Sequence, residues 1–248
     1  MRKQLLIILI LVSTGLSANA QEQVYEFRTY ELDYFKSADV LHNYLEKALI
    51  PALNRQGVKN VGVFEETSNT LPKKIYLLIP YKSIVAFQSS GDVLLKDEQY
   101  LKDAAPYLKA DPDSMPYDRI NTDLIRSSKG FPNLVKPTDD LNLFELRIYD
   151  SYNEDALRRK VKMFDDHEFD IFAEVGMSMV FFGANVAGDK LPALTYLLAF
   201  GDMKERDEEW AKFVAHPEWK RILGLEEYAN AMNEITRIFL RPLSYSQL

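Results

Sequence analysis

Apolar and polar residues alternate over two short stretches of this chain, and the two stretches nearly coincide. Residues 25–30 read Tyr25-Glu26-Phe27-Arg28-Thr29-Tyr30, and residues 144–149 read Phe144-Glu145-Leu146-Arg147-Ile148-Tyr149. A period of two predicts a strand whose side chains point alternately to opposite faces. One face carries Tyr25, Phe27 and Thr29 (later Phe144, Leu146 and Ile148). The other carries Glu26, Arg28 and Tyr30 (later Glu145, Arg147 and Tyr149). The copies lie 119 residues apart.

The same order of patterns follows each copy. After a strand over 24–31, Val40, Leu41, Tyr44, Leu45, Ala48, Leu49, Ala52 and Leu53 recur at three-to-four spacing. That stripe predicts a helix over 37–56, with Ser37 as its cap and Gly57 as its left-handed stop. Pro51 lies inside it and is expected to kink or loosen it. Strands at 58–65 and 75–79, a helical region over 85–107 and a strand at 120–127 complete the first half. The second half repeats the plan with a strand at 143–149 and a helix over 154–175 stopped by Gly176, again 119 residues after Gly57. Strands at 179–182 and 194–200, a helix at 206–215 and a strand at 235–241 follow. Gly183 to Lys190 superficially suggests a phosphate loop, but no Ser or Thr follows the Lys, and it reads as a hairpin turn. Leu71-Pro72 ahead of Tyr76-Leu77-Leu78 matches Leu191-Pro192 ahead of Tyr196-Leu197-Leu198, now 120 apart, which one inserted residue accounts for.

Each half is thus β-α-β-β-α-β, the ferredoxin-like plan. Such a sheet has helices on one face and needs a cover for the other. The expectation is an α+β protein, two fused ferredoxin-like repeats that cover each other sheet to sheet in one intrachain barrel. The helices would lie outside and the Glu/Arg/Tyr faces would turn inward. The repeats span 21–128 and 142–248, joined by a Pro-, Gly- and Asp-containing linker at 129–141.

Composition narrows the function classes. There are no cysteines, which removes disulfides and thiolate chemistry. A net charge of −7 with no basic stripe argues against nucleic acid as a partner. Arg2 and Lys3, an apolar run from Leu5 to Val12, and Ala18-Asn19-Ala20 form a signal peptide at 1–20, with cleavage expected after Ala20. The run is shorter than the ~20 residues a bilayer span needs, so the mature chain is expected to be exported, periplasmic or secreted, without stable membrane insertion.

Further stretches carry a family resemblance. They are Pro116-Tyr117-Asp118-Arg119 with Leu124-Ile125-Arg126, Val180-Phe181-Phe182-Gly183, Leu191-Pro192-Ala193-Leu194-Thr195-Tyr196, Pro217-Glu218-Trp219-Lys220 and Leu240-Arg241-Pro242-Leu243. With the twin strands, they make the chain resemble the NIPSNAP family of the dimeric α+β barrel superfamily over nearly all of its mature length. The resemblance implies the barrel and the possibility of a homo-oligomer, but no agreed reaction. Related barrel families include small monooxygenases, lactone isomerases and haem-using enzymes, which directs attention to the barrel interior as the seat of a ligand.

The candidate chemistry follows from that placement. Arg28 and Arg147, beside Glu26 and Glu145, would hold a carboxylate or enolate oxygen of a small anionic or oxygenated organic molecule. The competing reading is a structural ion-pair network between the halves. Tyr30, Tyr149, Tyr76 and Tyr196 would line and orient, or simply fill core. Glu168 falls on the apolar stripe of the second-half helix, where the first half has Leu49, and His167 stands where it has Ala48. A carboxylate on an apolar face needs a partner or a shifted pKa, so Glu168 and His167 are the acid/base candidates, against a plain salt bridge for Glu168. The three histidines have no metal-ligand spacing, so no metal is expected. No cofactor is predicted, and a haem on a single histidine is left open. Two functions remain: a small-molecule site with proton-transfer or oxygenase chemistry, or a non-catalytic protein that self-associates.

Overall fold

In the computed structural model of the protein residues 22–248 are described, so the expected signal peptide lies outside the described residues. The first half runs β1 (Val24–Leu32), α1 (Asp39–Tyr44), a π-helical turn (Leu45–Leu49), α2 (Ile50–Arg55), β2 (Gly62–Glu66) and β3 (Lys74–Tyr81). It continues with α3 (Ile84–Leu94), α4 (Glu98–Asp103), α5 (Ala105–Leu108) and β4 (Tyr117–Ser127). The second half opens with β5 (Leu143–Asp150), α6 (Glu154–Met163), a π-helical turn (Phe164–Glu168) and α7 (Phe169–Val175). It closes with β6 (Ser178–Ala187), β7 (Ala193–Phe200), α8 (Met203–Ala215), α9 (Pro217–Leu223) and β8 (Glu234–Pro242).

Local chemistry sets many of these boundaries. Asn153 accepts the Ala156 N–H and Asp202 the Glu205 N–H, each satisfying an orphan donor of a first turn. Gly176 takes φ 95° at the end of α7, and Gly57 takes 84°, the left-handed stops their positions predict. Pro51 does not break its helix. The Ile50 N–H reaches back five residues to the Leu45 carbonyl, and this widened turn precedes the proline, whose missing donor falls in the next turn. The second half has the same widened turn at the equivalent place, Phe169 N–H to the Phe164 carbonyl, with no proline. The turn therefore belongs to the architecture rather than to Pro51. The expected hairpin at Gly183 begins later, because β6 continues to Ala187.

The strands close into a barrel in the order β1-β3-β2-β8-β5-β7-β6-β4, all pairs antiparallel. Within each half the order is 4-1-3-2 and 8-5-7-6, the ferredoxin-like order. The halves cover each other in one barrel, as the sequence suggested, with the inner faces of both packed together. They join edge to edge, β2 to β8 and β4 to β6. Two stacked sheets would leave four open edges of unpaired N–H and C=O groups, whereas closure leaves none.

Closure also decides which face turns inward, and it is not the charged one. Tyr25, Phe27, Phe64, Phe144, Leu146, Phe181, Leu197 and Leu240 pack together inside the barrel. Tyr25 and Phe181 rings lie 5.0 Å apart and Phe64 and Phe144 rings 4.9 Å apart. An eight-stranded barrel has room for side chains and little else, so its interior is core. The faces carrying Glu26, Arg28 and Tyr30, and Glu145, Arg147 and Tyr149, point outward under the helices. Two further cores lie there, one in each half.

A one-residue difference separates the two tyrosines that looked like twins. Arg28 pairs with Leu77, and Arg147 pairs with Tyr196, so the strands correspond at 119 residues while the motif repeats at 120. A slip of one sends a side chain to the other face. Tyr76 therefore stands inside the barrel against Phe27, with ring centres 5.8 Å apart, while Tyr196 faces the helices.

Gly183 marks the β4–β6 junction, where an added Cβ would sit 2.4 Å from the Arg126 carbonyl oxygen. Gly183→Val is expected to lower unfolding free energy by ~2 kcal/mol or more in urea titration. Gly91→Ala, with nothing within 4 Å of the new Cβ, is expected to be neutral or up to ~1 kcal/mol stabilising. Equal midpoints for the two variants would contradict the close junction.

Candidate functional site

The polar groups of the second half converge between β5, β7 and the overlying helices. Arg147 Nη1 donates to Glu145 Oε1 at 2.7 Å, and Arg206 of α8 grips the same carboxylate through Nε at 2.8 Å and Nη2 at 3.0 Å. The Trp210 indole N–H adds a fourth donor at 2.9 Å. Burial pushes the Glu145 carboxyl up, but the Arg206 hydrogen bonds and the Arg147 charge outweigh it and hold it below the usual range. The Arg147 guanidinium lies 4.2 Å from the Trp210 ring centre, and its buried Nε has no hydrogen-bond partner among the described residues. Beside it the Tyr149 and Tyr196 hydroxyls meet at 2.7 Å, and burial raises both above the ordinary tyrosine value.

The helix supplies a second pair. Lys160 Nζ donates to Glu168 Oε1 at 2.5 Å, with side chains only 7% and 2% exposed. The widened turn lies between them and keeps both on the face toward the sheet. The ammonium also lies 4.9 Å from the Phe164 ring centre and 5.6 Å from those of Tyr149 and Trp219. Burial raises the Glu168 carboxyl above its ordinary value against the opposing pull of Lys160. His167 points elsewhere, to Glu218 at 3.2 Å and to the edge of Tyr228. The structure therefore separates the two expected acid/base residues and brings Glu168 to Lys160.

The corresponding place in the first half is built differently. Glu26 accepts from Arg28 Nε at 2.5 Å and from the Tyr81 hydroxyl at 3.2 Å. Tyr30 packs on Tyr117, and Tyr44 stacks on Tyr107 at 3.8 Å. The positions equivalent to Lys160 and Glu168 are Leu41 and Leu49, both fully buried. The two Glu/Arg pairs thus lie under separate helix layers and do not meet at a shared axis. Tyr76 donates to Glu66 at 2.6 Å and belongs to neither cluster.

A cavity of about 270 Å³ opens beside Lys160, lined also by Met163, Trp219, Leu223, Tyr228, Asn230, Ala231 and Met232. Among its described lining residues Lys160 alone carries a formal charge. Asn230 adopts φ 51° there, a left-handed conformation asparagine tolerates. Sequence reasoning missed Lys160. The available signal was that Lys160, like Glu168, replaces a leucine of the first half at the same 119-residue offset. No group of three or more histidine, aspartate or glutamate side chains suited to a metal occurs among the described residues. Among them, too, no helix is long and apolar enough to cross a membrane.

An eight-stranded antiparallel barrel with an outer helix layer defines an α+β barrel protein. Residues 144–247 match the NIPSNAP family model, so the second half of the chain is similar to that family. No curated protein matches the sequence significantly. Among solved structures, the chain is similar to a proposed monooxygenase of Lactobacillus acidophilus NCFM at 12% identity and a TM-score of 0.58, over 89% of this chain and 94% of that one. It is similar to a proposed monooxygenase of Fusobacterium nucleatum subsp. nucleatum at 12% identity and a TM-score of 0.54, over 90% and 93% of the respective chains. At such identities the likeness concerns the fold.

The Glu145 arrangement gives a pH dependence of known sign. A carboxyl held below its unfolded value of about 4.5 contributes stability above that pH and loses it as pH falls through the folded value. The melting-temperature advantage of wild type over Glu145→Gln is therefore expected to shrink from pH ~6 to pH ~3. A constant gap across that range would contradict the ionised, triply gripped carboxylate.

Proposed function

We propose that this protein binds a small anionic or oxygenated organic molecule in the cavity beside Lys160, and that the Lys160–Glu168 pair moves a proton on it. One observation carries the reading. The first half closes the same helix-on-sheet layer with Leu41 and Leu49, so the fold does not need an ion pair there. A buried pair is often no more stabilising than apolar side chains of similar size. Its presence in one half, behind an open cavity, suits chemistry better than packing. Arg147, with Tyr149 and Tyr196, backs the pair with a fixed positive field and neutral hydroxyls. The ligand thus moves from the barrel interior, where the sequence suggested it, to the helix side of the second half. Proton transfer suits the residues at hand, and the likeness to proposed monooxygenases adds fold but no residue to the argument. Export after cleavage at Ala20, and an origin of the two halves by duplication, accompany this reading.

A second reading has an observation of its own. The barrel interior is filled with aromatic side chains, as a non-catalytic, self-associating protein would have it.

Paired variants separate the two. Lys160→Leu or Glu168→Leu alone strands a buried charge and is expected to cost ~3–5 kcal/mol, a fall of roughly 6–20 °C in melting temperature. The double variant Lys160→Leu/Glu168→Leu restores the first-half pattern and is expected to melt at or above wild type. In a thermal-shift screen of small acids, lactones and phenols, wild type is expected to respond and the double variant not to. A response that survives in the double variant would retire the site, and no response in wild type would favour the interaction reading.

A further inference from the structure

We propose that the cavity takes small phenols or enols and holds them as anions by exchanging counter-ions with the Lys160–Glu168 pair. The inference deepens the reading above and rests on it. The walls point to a flat, unsaturated ligand. Trp219 and Tyr228 contribute aromatic rings to the lining, and Met163 and Met232 contribute polarisable thioethers that favour contact with rings. A volume of about 270 Å³ suits one or two rings.

Charge conservation selects the functional group. Lys160 is already neutralised by Glu168 at 2.5 Å. A permanent carboxylate entering beside it would place two anions against one cation next to a buried pair, leaving one charge uncompensated. A neutral, acidic hydroxyl adds no charge. Lys160 hands a proton to Glu168 Oε1 along the existing hydrogen bond and takes the hydroxyl proton of the ligand. The ligand O–H bond breaks, a glutamic acid O–H bond forms, and no electron changes hands. The site then holds one ammonium, one phenolate or enolate and one neutral acid. Burial of Glu168 favours its neutral form, which drives the exchange in this direction. Asn230 and the Tyr228 hydroxyl, on the same lining, are the groups available to a second oxygen of the ligand.

The test uses p-nitrophenol, whose phenolate absorbs in the visible and whose neutral form does not, at a pH where the free probe is mostly neutral. Binding is read separately, by quenching of the tryptophan fluorescence, to which Trp219 on the cavity wall and Trp210 both contribute. Wild type is expected to show quenching and a phenolate band that saturate together. It is also expected to bind p-nitrobenzoate and p-nitroanisole roughly tenfold or more weakly. Glu168→Gln, which leaves Lys160 without its carboxylate partner, is expected to keep the phenolate band and to lose the discrimination against p-nitrobenzoate. Should that variant fail to fold, the two control ligands on wild type still decide the matter. In wild type, quenching without a band, or binding of p-nitrobenzoate equal to that of p-nitrophenol, would overturn the counter-ion exchange while leaving a ligand site at Lys160. Absence of quenching by all three probes would overturn the site itself.

Discussion

Closing eight strands on themselves leaves an interior with room for side chains alone, and the rest of this structure follows from what fills it. Tyr25, Phe27, Phe64, Phe144, Leu146 and Phe181 occupy the interior. Because side chains alternate, the charged face of β1 and of β5 must then lie under the helices. There Glu145 finds Arg206 and Trp210, partners that only α8 supplies. A barrel lined by the same glutamates and arginines would have left them facing one another across a narrow core without those donors.

The second consequence is that each half has its own site-like layer, and the two have diverged. In the first, leucines and a group of tyrosines finish the core around Arg28. In the second, an ammonium and a carboxylate stand in the leucine positions beneath a cavity. The widened helical turn is common to both, so it sets the geometry of the layer without deciding its chemistry. The chemistry depends on the two substitutions and on Trp219 and Tyr228, which bound the cavity from α9 and the short helix after it.

Much of the fold was legible because strand alternation and helical stripes are local. The twin strands and the left-handed stops at Gly57 and Gly176 appear where their residue patterns place them. The inward face was not legible, since alternation defines two faces and only closure chooses between them. The correspondence of Tyr76 with Tyr196 misled, because a matching Leu-Pro and Tyr-Leu-Leu text concealed a one-residue offset in pairing. Glu168 stood out as a carboxylate on an apolar stripe. Lys160 did not, because a lysine at the border of a stripe ordinarily extends its ammonium into water. Only the position of Leu41 in the first half contained that signal. The cavity was beyond reach, since Trp219, Tyr228 and Met232 come together through turns no periodicity describes.

The central claim is that ligands enter beside Lys160 and not in the barrel. Soaking crystals of the protein with a mixture of one- and two-ring oxygenated fragments tests it most directly. The account predicts fragment density in contact with Lys160, Trp219 and Tyr228. Density among Phe27, Phe144 and Phe181, with the Lys160 cavity empty, would contradict it.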